Sequence, residues 1–249
     1  GEINFKIFIN MKVVILAGGK GSRISMYTQK IPKPMIKIGN IPMLIHITNI
    51  YKHYGFKEFI IAGGYKSRVI KDYLSKNKKY KNIKIVQTGV NSLTGDRIVK
   101  LKKYLIKEKN FLLTYGDGVS NVNIIKLLKF HLKHGKIATV TGVRPPVKFG
   151  ELSIGKNDIV EEFVEKPQLE QGWINGGFFV LNNKIFNYLK GRNLTFERTP
   201  LEKLCKHKQL KVFKHYDYWM CMDNLNEKNT LDKLFKKFKT IWNFKFKKK

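Results

Sequence analysis

A short apolar strand that breaks at a cluster of glycines constrains this chain more than any other feature. Val13–Ala17 is an uninterrupted apolar run, which is typical of a buried strand. Gly18, Gly19 and Gly21 follow within four positions, and they allow backbone N–H groups to turn toward a ligand without interference from Cβ atoms. A concave array of N–H groups suits phosphate. We therefore expect a phosphate-binding loop directly after the first strand.

Two cations follow this loop at positions that suit phosphoryl chemistry. Arg23 supplies a planar fork of donors, and Lys33 lies between Pro32 and Pro34, which restrict the backbone on both sides. A dinucleotide-binding fingerprint is excluded because its third glycine would fall at Ile24, and a P-loop is excluded because no Gly-Lys-Ser/Thr tripeptide occurs. For the glycines alone, an ordinary strand-to-loop turn is an equal alternative. The two cations favour the phosphate-binding interpretation.

Strand and helix signals alternate through the first half of the chain. After the first strand, the patterns predict strands at 59–62, 83–86, 111–114 and 137–142, and helices at 41–54, 67–74, 96–106 and 123–134. This order predicts a parallel sheet in a three-layer α/β fold. Ligands of such sheets bind beyond the carboxyl ends of the strands. The glycine loop and Gly116-Asp117-Gly118 both fall at that edge.

The second half of the chain has a different pattern. Residues 149–164 alternate like an antiparallel hairpin, and the later segments predict strands at 178–181 and 210–213 and helices at 199–207 and 225–238. We therefore predict a Rossmann-like, mixed but mainly parallel sheet with an antiparallel portion. The sequence shows no internal repeat and no linker-like stretch. A single domain is expected over 11–249, preceded by an extension, 1–10, without a functional role.

The charge balance raises the question of nucleic-acid binding, since 49 Lys and Arg oppose 18 Asp and Glu for a formal charge of +31. The lysines are spread along the chain, and no zinc-finger spacing or aromatic-rich strand-binding motif accompanies them, so nucleic acid is not the expected partner. A field that attracts anionic substrates is the intermediate interpretation. No apolar run is long enough for a membrane span. The two cysteines form no CxxC pair, which favours a reduced, cytoplasmic setting.

Two aspartates are candidate metal ligands. Asp117 lies between two glycines at a predicted strand end, and a carboxylate there suits Mg²⁺, which takes one or two carboxylates together with substrate phosphates. An ordinary Asp-Gly turn is the alternative. Asp223 follows a run of large side chains and precedes the helix expected from Leu225. The alternative to metal binding is a role as the N-cap of that helix, and the two roles can coexist.

A series of motifs now covers the chain from Met11 onward. They are Leu-Ala-Gly-Gly-x-Gly-Ser-Arg, Lys-Pro-Met, Tyr-Gly-Asp-Gly-Val, Phe-Gly-Glu-Leu, Glu-Lys-Pro, Ile-Asn-Gly-Gly-Phe-Phe-Val and Met-Asp-Asn. Together they resemble the sugar-phosphate nucleotidylyltransferase family, and in particular its glucose-1-phosphate cytidylyltransferase branch. The fold that this resemblance implies is the glycosyltransferase-A-like nucleotidylyltransferase fold.

The resemblance also implies residue roles. The catalytic residues would be Arg23 and Lys33, and the Mg²⁺ ligands would be Asp117 and Asp223. The nucleotide would contact Leu16, Ala17, Gly18, Gly19, Lys20, Gly21, Ser22, Arg23, Lys33, Ser92, Arg97 and Gly116. The sugar phosphate would contact Gly150, Glu165, Lys166 and Asn175. The nucleotide-binding part would span about 11–142, the sugar-binding part and last helix about 143–240, and a basic tail 241–249.

The implied reaction joins CTP and α-D-glucose 1-phosphate to give CDP-glucose and pyrophosphate, with Mg²⁺ as cofactor and the protein as a homo-oligomer. The alternatives are another NTP or sugar 1-phosphate, a non-catalytic nucleotide-sugar-binding relative, and an RNA-binding relative. Three departures from the branch affect base preference and subunit contacts. Lys20 replaces a small apolar residue, Asp96 replaces a glycine, and the segment between Leu74 and Ile83 is shorter.

Overall fold

The computed structural model describes residues 10–144, 151–154, 156–164 and 172–243. Its α-helices are α1 Ser25–Thr28, α2 Met43–His53, α3 Ser67–Ser75, α4 Thr94–Lys100, α5 Lys102–Leu105, α6 Ile124–His134, α7 Thr199–Lys206 and α8 Leu225–Phe238. Its strands are β1 Val13–Ala17, β2 Lys37–Ile38, β3 Ile41–Pro42, β4 Phe59–Gly63, β5 Ile83–Gln87, β6 Asn110–Tyr115, β7 Gly118–Ser120, β8 Ala138–Val143, β9 Glu151–Ile154, β10 Val160–Val164, β11 Ile174–Asn182, β12 Leu210–His215 and β13 Trp219–Cys221.

Seven of these strands form the central sheet, in the order β12-β8-β11-β6-β1-β4-β5. Strands β6, β1, β4 and β5 are parallel to one another, and β12 is parallel to β8. Strand β11 runs antiparallel to both β6 and β8. The predicted mixed, mainly parallel sheet is therefore confirmed. Because β11 is reversed, its first residues lie at the same edge as the carboxyl ends of the parallel strands.

Both faces of the sheet are covered, which explains why its central strands are continuously apolar. All five residues of β1 and of β4 are buried. Val13 and Ile15 pack in one cluster with residues of α2 and α6. Val14 and Leu16 pack in the other cluster with residues of α4, α5 and α7. Side chains that alternate between the faces of β1 thus stabilise all three layers.

The helix ends follow local signals, with one correction. Helix α6 begins after Asn123, whose side chain accepts a hydrogen bond from the backbone N–H of Lys126 at 2.9 Å. Helix α8 has the predicted bounds, but its N-cap is Asn224, which accepts from the N–H of Glu227 at 3.0 Å. The prediction that Asp223 caps this helix is therefore wrong. An asparagine one residue closer to the helix occupies that position, and the Asp223 carboxylate points elsewhere.

Two short antiparallel ribbons complete the fold. Strands β9 and β10 pair as the predicted hairpin. Strands β7 and β13 pair with Cys221 opposite Gly118, and the N–H of Met222 donates to the carbonyl of Asp117 at 2.9 Å. The second ribbon was not predicted from the sequence. It is important because it joins two segments about a hundred residues apart and brings Asp117 close to Asp223.

Across the described ranges, no helix is long and apolar enough to cross a membrane. The predicted extension 1–10 falls outside these ranges except for Asn10, and the predicted basic tail falls outside from residue 244. The predicted sugar-phosphate ligands Gly150, Glu165 and Lys166 also lie outside the described residues.

Candidate active site

The two predicted metal ligands lie on either side of one ammonium group. The Nζ of Lys33 is 2.7 Å from Oδ2 of Asp117 and 2.6 Å from Oδ1 of Asp223. The Lys33 side chain is only 12% exposed, whereas Asp117 and Asp223 are 33% and 25% exposed. Lys33 thus forms one charge cluster with two carboxylates that lie 84 and 190 positions further along the sequence. The structure thus brings Lys33, Asp117 and Asp223 together.

Local backbone structure explains how Lys33 reaches this point. Lys33–Met35 form a short 3₁₀ turn, with Pro32 in an extended conformation before it and Pro34 inside it. Burial, the largest single influence, lowers the pKa of Lys33, but Asp117 and Asp223 together outweigh it and hold the pKa above its ordinary value. The side chain is therefore a fixed positive charge inside the site.

Arg23 supplies a second cation, on the other carboxylate oxygen of Asp223. Its Nη1 lies 2.8 Å from Oδ2 of Asp223, but its side chain is 77% exposed. Arg23 belongs to the 3₁₀ turn Ser22–Ile24, which follows Gly21. Gly21 has a φ of 64°, and a Cβ there would lie 2.9 Å from the Cβ of Lys33. This glycine therefore allows the loop to turn over Lys33 and present Arg23 at the rim.

Arg97 has partners of a different kind. Its guanidinium donates to the carbonyls of Gly18 and Gly89 at 2.8 and 2.9 Å, and to the hydroxyl of Thr88 at 2.7 Å. The residue is 3% exposed. Burial lowers the pKa of Arg97, and Asp96 opposes this effect. In the described structure Arg97 ties the glycine loop to the segment after β5. Direct contact with the nucleotide stays a prediction.

Close packing explains two of the glycines near Arg97 and the first strand. A Cβ on Gly18 would lie 2.0 Å from Nη1 of Arg97, and a Cβ on Gly116 would lie 2.7 Å from the carbonyl oxygen of Leu16. Gly19 has open space in front of it, with no heavy atom within 4 Å of an added Cβ. Gly18 and Gly116 therefore allow elements to approach each other, whereas Gly19 leaves room for a ligand.

The remaining predicted nucleotide contacts differ in burial. Leu16 and Ala17 are buried at the end of β1, whereas Lys20 and Ser22 are exposed. Ser92 donates to the carbonyl of Thr88 and accepts from Nζ of Lys100 at 2.8 Å. The Asp96 side chain, which departs from the branch pattern, accepts from the N–H of Leu194 at 3.1 Å. Asp96 therefore supports a loop contact in this structure.

Two cavities meet at the charge cluster. The larger, about 510 Å³, is bounded by the glycine loop, Ser92 and Arg97. The smaller, about 210 Å³, is bounded by Gly176, Gly177 and Trp219. The residues common to both are Arg23, Tyr115, Asp117 and Asp223. A site with two compartments that share its charged groups can hold two anionic reactants with their reacting ends together.

Several residues of these walls were missed by sequence reasoning. They are Leu93, Thr94, Tyr115, Thr195, Glu197 and Trp219. The Nε1 of Trp219 donates to the carbonyl of Gly176 at 2.7 Å, which fixes the indole against the smaller cavity. Glu197 lies in a loop without a recognisable motif, so no local signal identified it. Tyr115 was adjacent to a predicted motif and could have been included.

Cys221 lies beside the cluster but does not suit nucleophilic chemistry. Its Sγ is 3.8 Å from Oδ2 of Asp223. Burial, assisted by the nearby carboxylates, raises the pKa of the Cys221 thiol to about 12. A thiol that stays protonated is a poor nucleophile. The chemistry of this site therefore depends on its carboxylates and cations.

Known proteins share this arrangement of sequence and fold. A family model described as nucleotidyl transferase matches residues 12–224. The chain belongs to this nucleotidyl transferase family. A Salmonella typhimurium (strain LT2) protein named glucose-1-phosphate cytidylyltransferase is 39% identical to it over 93% of this chain and 98% of the relative. A Bacillus subtilis (strain 168) protein named "Probable glucose-1-phosphate cytidylyltransferase" is 40% identical over 93% of this chain and 99% of the relative.

Solved structures agree with the family assignment. The crystal structure of HddC from Yersinia pseudotuberculosis superposes on this nucleotidyl transferase with a TM-score of 0.71 at 26% identity, covering 90% of this chain and 99% of that one. A second HddC structure is a complex with GMP-PN and gives a TM-score of 0.70 at 26% identity, covering the same shares of both chains. The predicted family and fold are confirmed, and the chain is an enzyme of the nucleotidyltransferase class.

Proposed function

We propose that this nucleotidyl transferase transfers a cytidylyl group from CTP to α-D-glucose 1-phosphate, giving CDP-glucose and pyrophosphate. The observation that carries the reaction class is the pair of cavities that share Asp117, Asp223 and Arg23. The choice of base and sugar is supported by relatives of 39% and 40% identity that are named for this activity.

The proposed chemistry is an in-line displacement. A phosphate oxygen of the sugar 1-phosphate forms a bond to the α-phosphorus of the nucleotide, and the bond from that phosphorus to the bridging oxygen of pyrophosphate breaks. The attacking oxygen is already ionised, so no general base is required. The main contributions of the protein are orientation and charge neutralisation. Lys33 and Arg23, which pair with the carboxylates shared by the two cavities, would neutralise phosphate oxygens there.

A divalent metal, which we propose to be Mg²⁺, would be held by Asp117 and Asp223. The fit is supported by the fact that both carboxylates already lie within 2.7 Å of one cationic centre, Nζ of Lys33. Oxygen ligands of this kind suit Mg²⁺. When bound, the metal would neutralise phosphate charge between the reactants. Lys33 would then remain near the carboxylates as an additional positive charge for the phosphates.

The compartments suggest how the substrates divide. We propose that the nucleotide occupies the larger cavity, whose wall is formed by the glycine loop, and that the sugar phosphate occupies the smaller one. Asn175 lies next to the smaller cavity, because its Nδ2 donates to the hydroxyl of Tyr115, which lines that cavity, at 3.0 Å. Gly150, Glu165 and Lys166 remain predicted sugar-phosphate ligands. The enzyme is further proposed to act in the cytoplasm as a homo-oligomer.

The test is a screen of pyrophosphate release with four NTPs against a panel of sugar 1-phosphates. CTP with glucose 1-phosphate is expected to give the highest kcat/KM. Release that is highest with another pair would overturn the base or sugar assignment but retain the reaction class. Absence of release with every pair would overturn the reaction itself.

A matched pair of variants links this screen to the site. Asp117→Asn should lose most turnover, because the substitution removes the charge of a metal ligand. Asp72→Asn is the control, since Asp72 is 60% exposed and only weakly paired with Arg68 at 3.9 Å. The control should keep its rate. Equal rates for both variants and the wild type at saturating Mg²⁺ would remove Asp117 from the metal site.

A further inference from the structure

Glu197 lies at the centre of a hydrogen-bonded chain in the cavity wall. Its Oε1 is 2.6 Å from the hydroxyl of Tyr115, and its Oε2 is 2.6 Å from Oγ1 of Thr94. The Tyr115 hydroxyl is in turn 3.0 Å from Nδ2 of Asn175. This chain connects the start of α4, at the larger cavity, with the start of β11, beside the smaller cavity.

Two backbone N–H groups fix the direction of every hydrogen bond in this chain. The N–H of Gly177 can only donate, and it donates to Oδ1 of Asn175 at 2.8 Å. The amide nitrogen of Asn175 therefore faces Tyr115, whose oxygen accepts. The single hydroxyl proton of Tyr115 is then directed to Glu197. A flipped Asn175 amide would place two donors against each other at Gly177.

The other end of the hydrogen-bonded chain fixes the second contact of Glu197. The N–H of Phe196 donates to Oγ1 of Thr94 at 2.9 Å, so the Thr94 hydroxyl is free to donate its proton to Glu197. Both side-chain oxygens of Glu197 thus accept a hydrogen bond, at 2.6 Å on each side.

The Tyr115 ring is held as firmly as its hydroxyl. It packs edge-to-face against Phe179, with ring centroids 5.9 Å apart. A Cβ on Gly177 would lie 2.6 Å from Cδ2 of this ring, so a glycine is needed where β11 passes Tyr115. The packing of the ring and the hydrogen bond to Glu197 therefore fix the position of the Tyr115 hydroxyl together.

We propose that Glu197 is a positioning residue that acts through Tyr115 to orient Asn175 toward the sugar phosphate. The inference rests on the proposed function, in which Asn175 contacts that substrate. Asn175 is exposed at the site, and the chain uses only one of its two amide protons. Within the described residues, the other amide proton and the second lone pair of Oδ1 have no hydrogen-bond partner, so they can contact the substrate. Through these hydrogen bonds, Glu197 links Asn175, beside the smaller cavity, to Thr94 in the wall of the larger cavity.

The test combines three substitutions with a kinetic cycle. Tyr115→Phe keeps the ring but removes the hydroxyl, and Glu197→Gln keeps the shape but removes the charge. Each should raise KM for the best sugar 1-phosphate of the screen by roughly tenfold, the equivalent of one well-placed hydrogen bond, while KM for the NTP changes less than about twofold. In an Asn175→Ala background, neither substitution should raise KM further.

Other outcomes of the cycle would overturn the proposal. If Tyr115→Phe and Glu197→Gln raise KM by the same factor with and without Asn175, Glu197 contacts substrate directly and does not act through the amide. If KM for the sugar phosphate is unchanged in both variants, the hydrogen bonds of Glu197 and Tyr115 have only a structural role. Tyr188→Phe is the control, because its hydroxyl hydrogen-bonds His207 at 3.1 Å outside both cavities, and its kinetics should match the wild type.

A measurement without turnover separates this proposal from the proposed function. In the ¹⁵N-labelled free protein, the side-chain amide signal of Asn175 is identified by its loss in Asn175→Ala. It should shift in Tyr115→Phe and in Glu197→Gln but not in Tyr188→Phe. An unshifted signal would show that the chain does not hold Asn175, whatever the enzyme's substrate. An inactive wild type with a shifted signal would instead overturn only the proposed reaction.

Discussion

Arg97, which is buried, and Lys33, which is partly buried, are two cations that line one cavity, but the structure surrounds them with different partners. Arg97 donates to the carbonyls of Gly18 and Gly89 and to Thr88. Lys33 donates to two carboxylates. The carbonyls belong to the backbone of the fold, whereas the carboxylates can exchange one cation for another. The two sequence segments that predict these residues as nucleotide contacts do not separate their roles.

The difference teaches that the acceptor, more than the cation, determines whether a charge is available for chemistry. A guanidinium that satisfies buried carbonyls is needed in every state of the protein, because loss of their donor leaves them unsatisfied. An ammonium between two partly exposed carboxylates can be shared with substrate phosphates and metal. We therefore expect Arg97 to affect mainly stability and Lys33 to affect mainly turnover.

The largest expected effect is on stability. Arg97→Met should lower the free energy of unfolding by about 3 kcal/mol or more, since several buried acceptors lose their donor at once. Denaturant unfolding measures this loss. Arg97→Lys should not restore stability, because one ammonium cannot follow the planar geometry of the guanidinium. A stable Arg97→Met protein with a specific loss of nucleotide affinity would show that Arg97 is a substrate ligand instead.

Lys33→Met should have the opposite profile. We expect kcat to fall by roughly a hundredfold or more, because a positive charge that stabilises the transition state is removed. The melting temperature should change less than in Arg97→Met. Steady-state kinetics with separate measurement of nucleotide affinity distinguish the outcomes. Loss of nucleotide affinity with kcat unchanged would make Lys33 a ground-state binding residue.

A smaller effect is expected on metal binding by the free protein. The Lys33 ammonium lies within 2.7 Å of an oxygen of Asp117 and of Asp223, so it competes with any cation for the same carboxylates. Lys33→Met should bind Mn²⁺ more tightly than the wild type, by about tenfold, or about 1.4 kcal/mol. Electron paramagnetic resonance of free Mn²⁺ gives the affinity. Weaker binding in the variant would indicate that the lysine organises the carboxylates rather than competing for them.

The smallest effect is expected for the stability of an Arg23 variant. The Arg23 side chain is 77% exposed and pairs with Asp223 at the rim, and such exposed pairs contribute at most about 1 kcal/mol. Arg23→Gln should therefore unfold at nearly the wild-type denaturant concentration, although turnover should fall. A stability loss as large as that of Arg97→Met would contradict the distinction between structural and exchangeable partners.

Much of the fold could be predicted from the sequence because its signals are local. The apolar run of β1, the helix bounds of α8 and the glycine at the end of α6 depend on residues within a few positions. Lys33, Asp117 and Asp223 could be selected as candidates because each lies in a short motif. The residue that caps α8 could not be identified, since Asp223 and Asn224 offer the same chemistry one residue apart and the structure uses Asn224.

The sequence by itself determined an α/β chain with a glycine loop, two cations and two carboxylates at the edge of a sheet. Only the tertiary structure decided which partners they have. Sheet order places β6 beside β1, and the β7–β13 ribbon brings Asp223 to Asp117. The reversed β11 brings Asn175 to Tyr115, and hence to Glu197. These contacts join residues far apart in the chain, and local periodicity carries no information about such pairs.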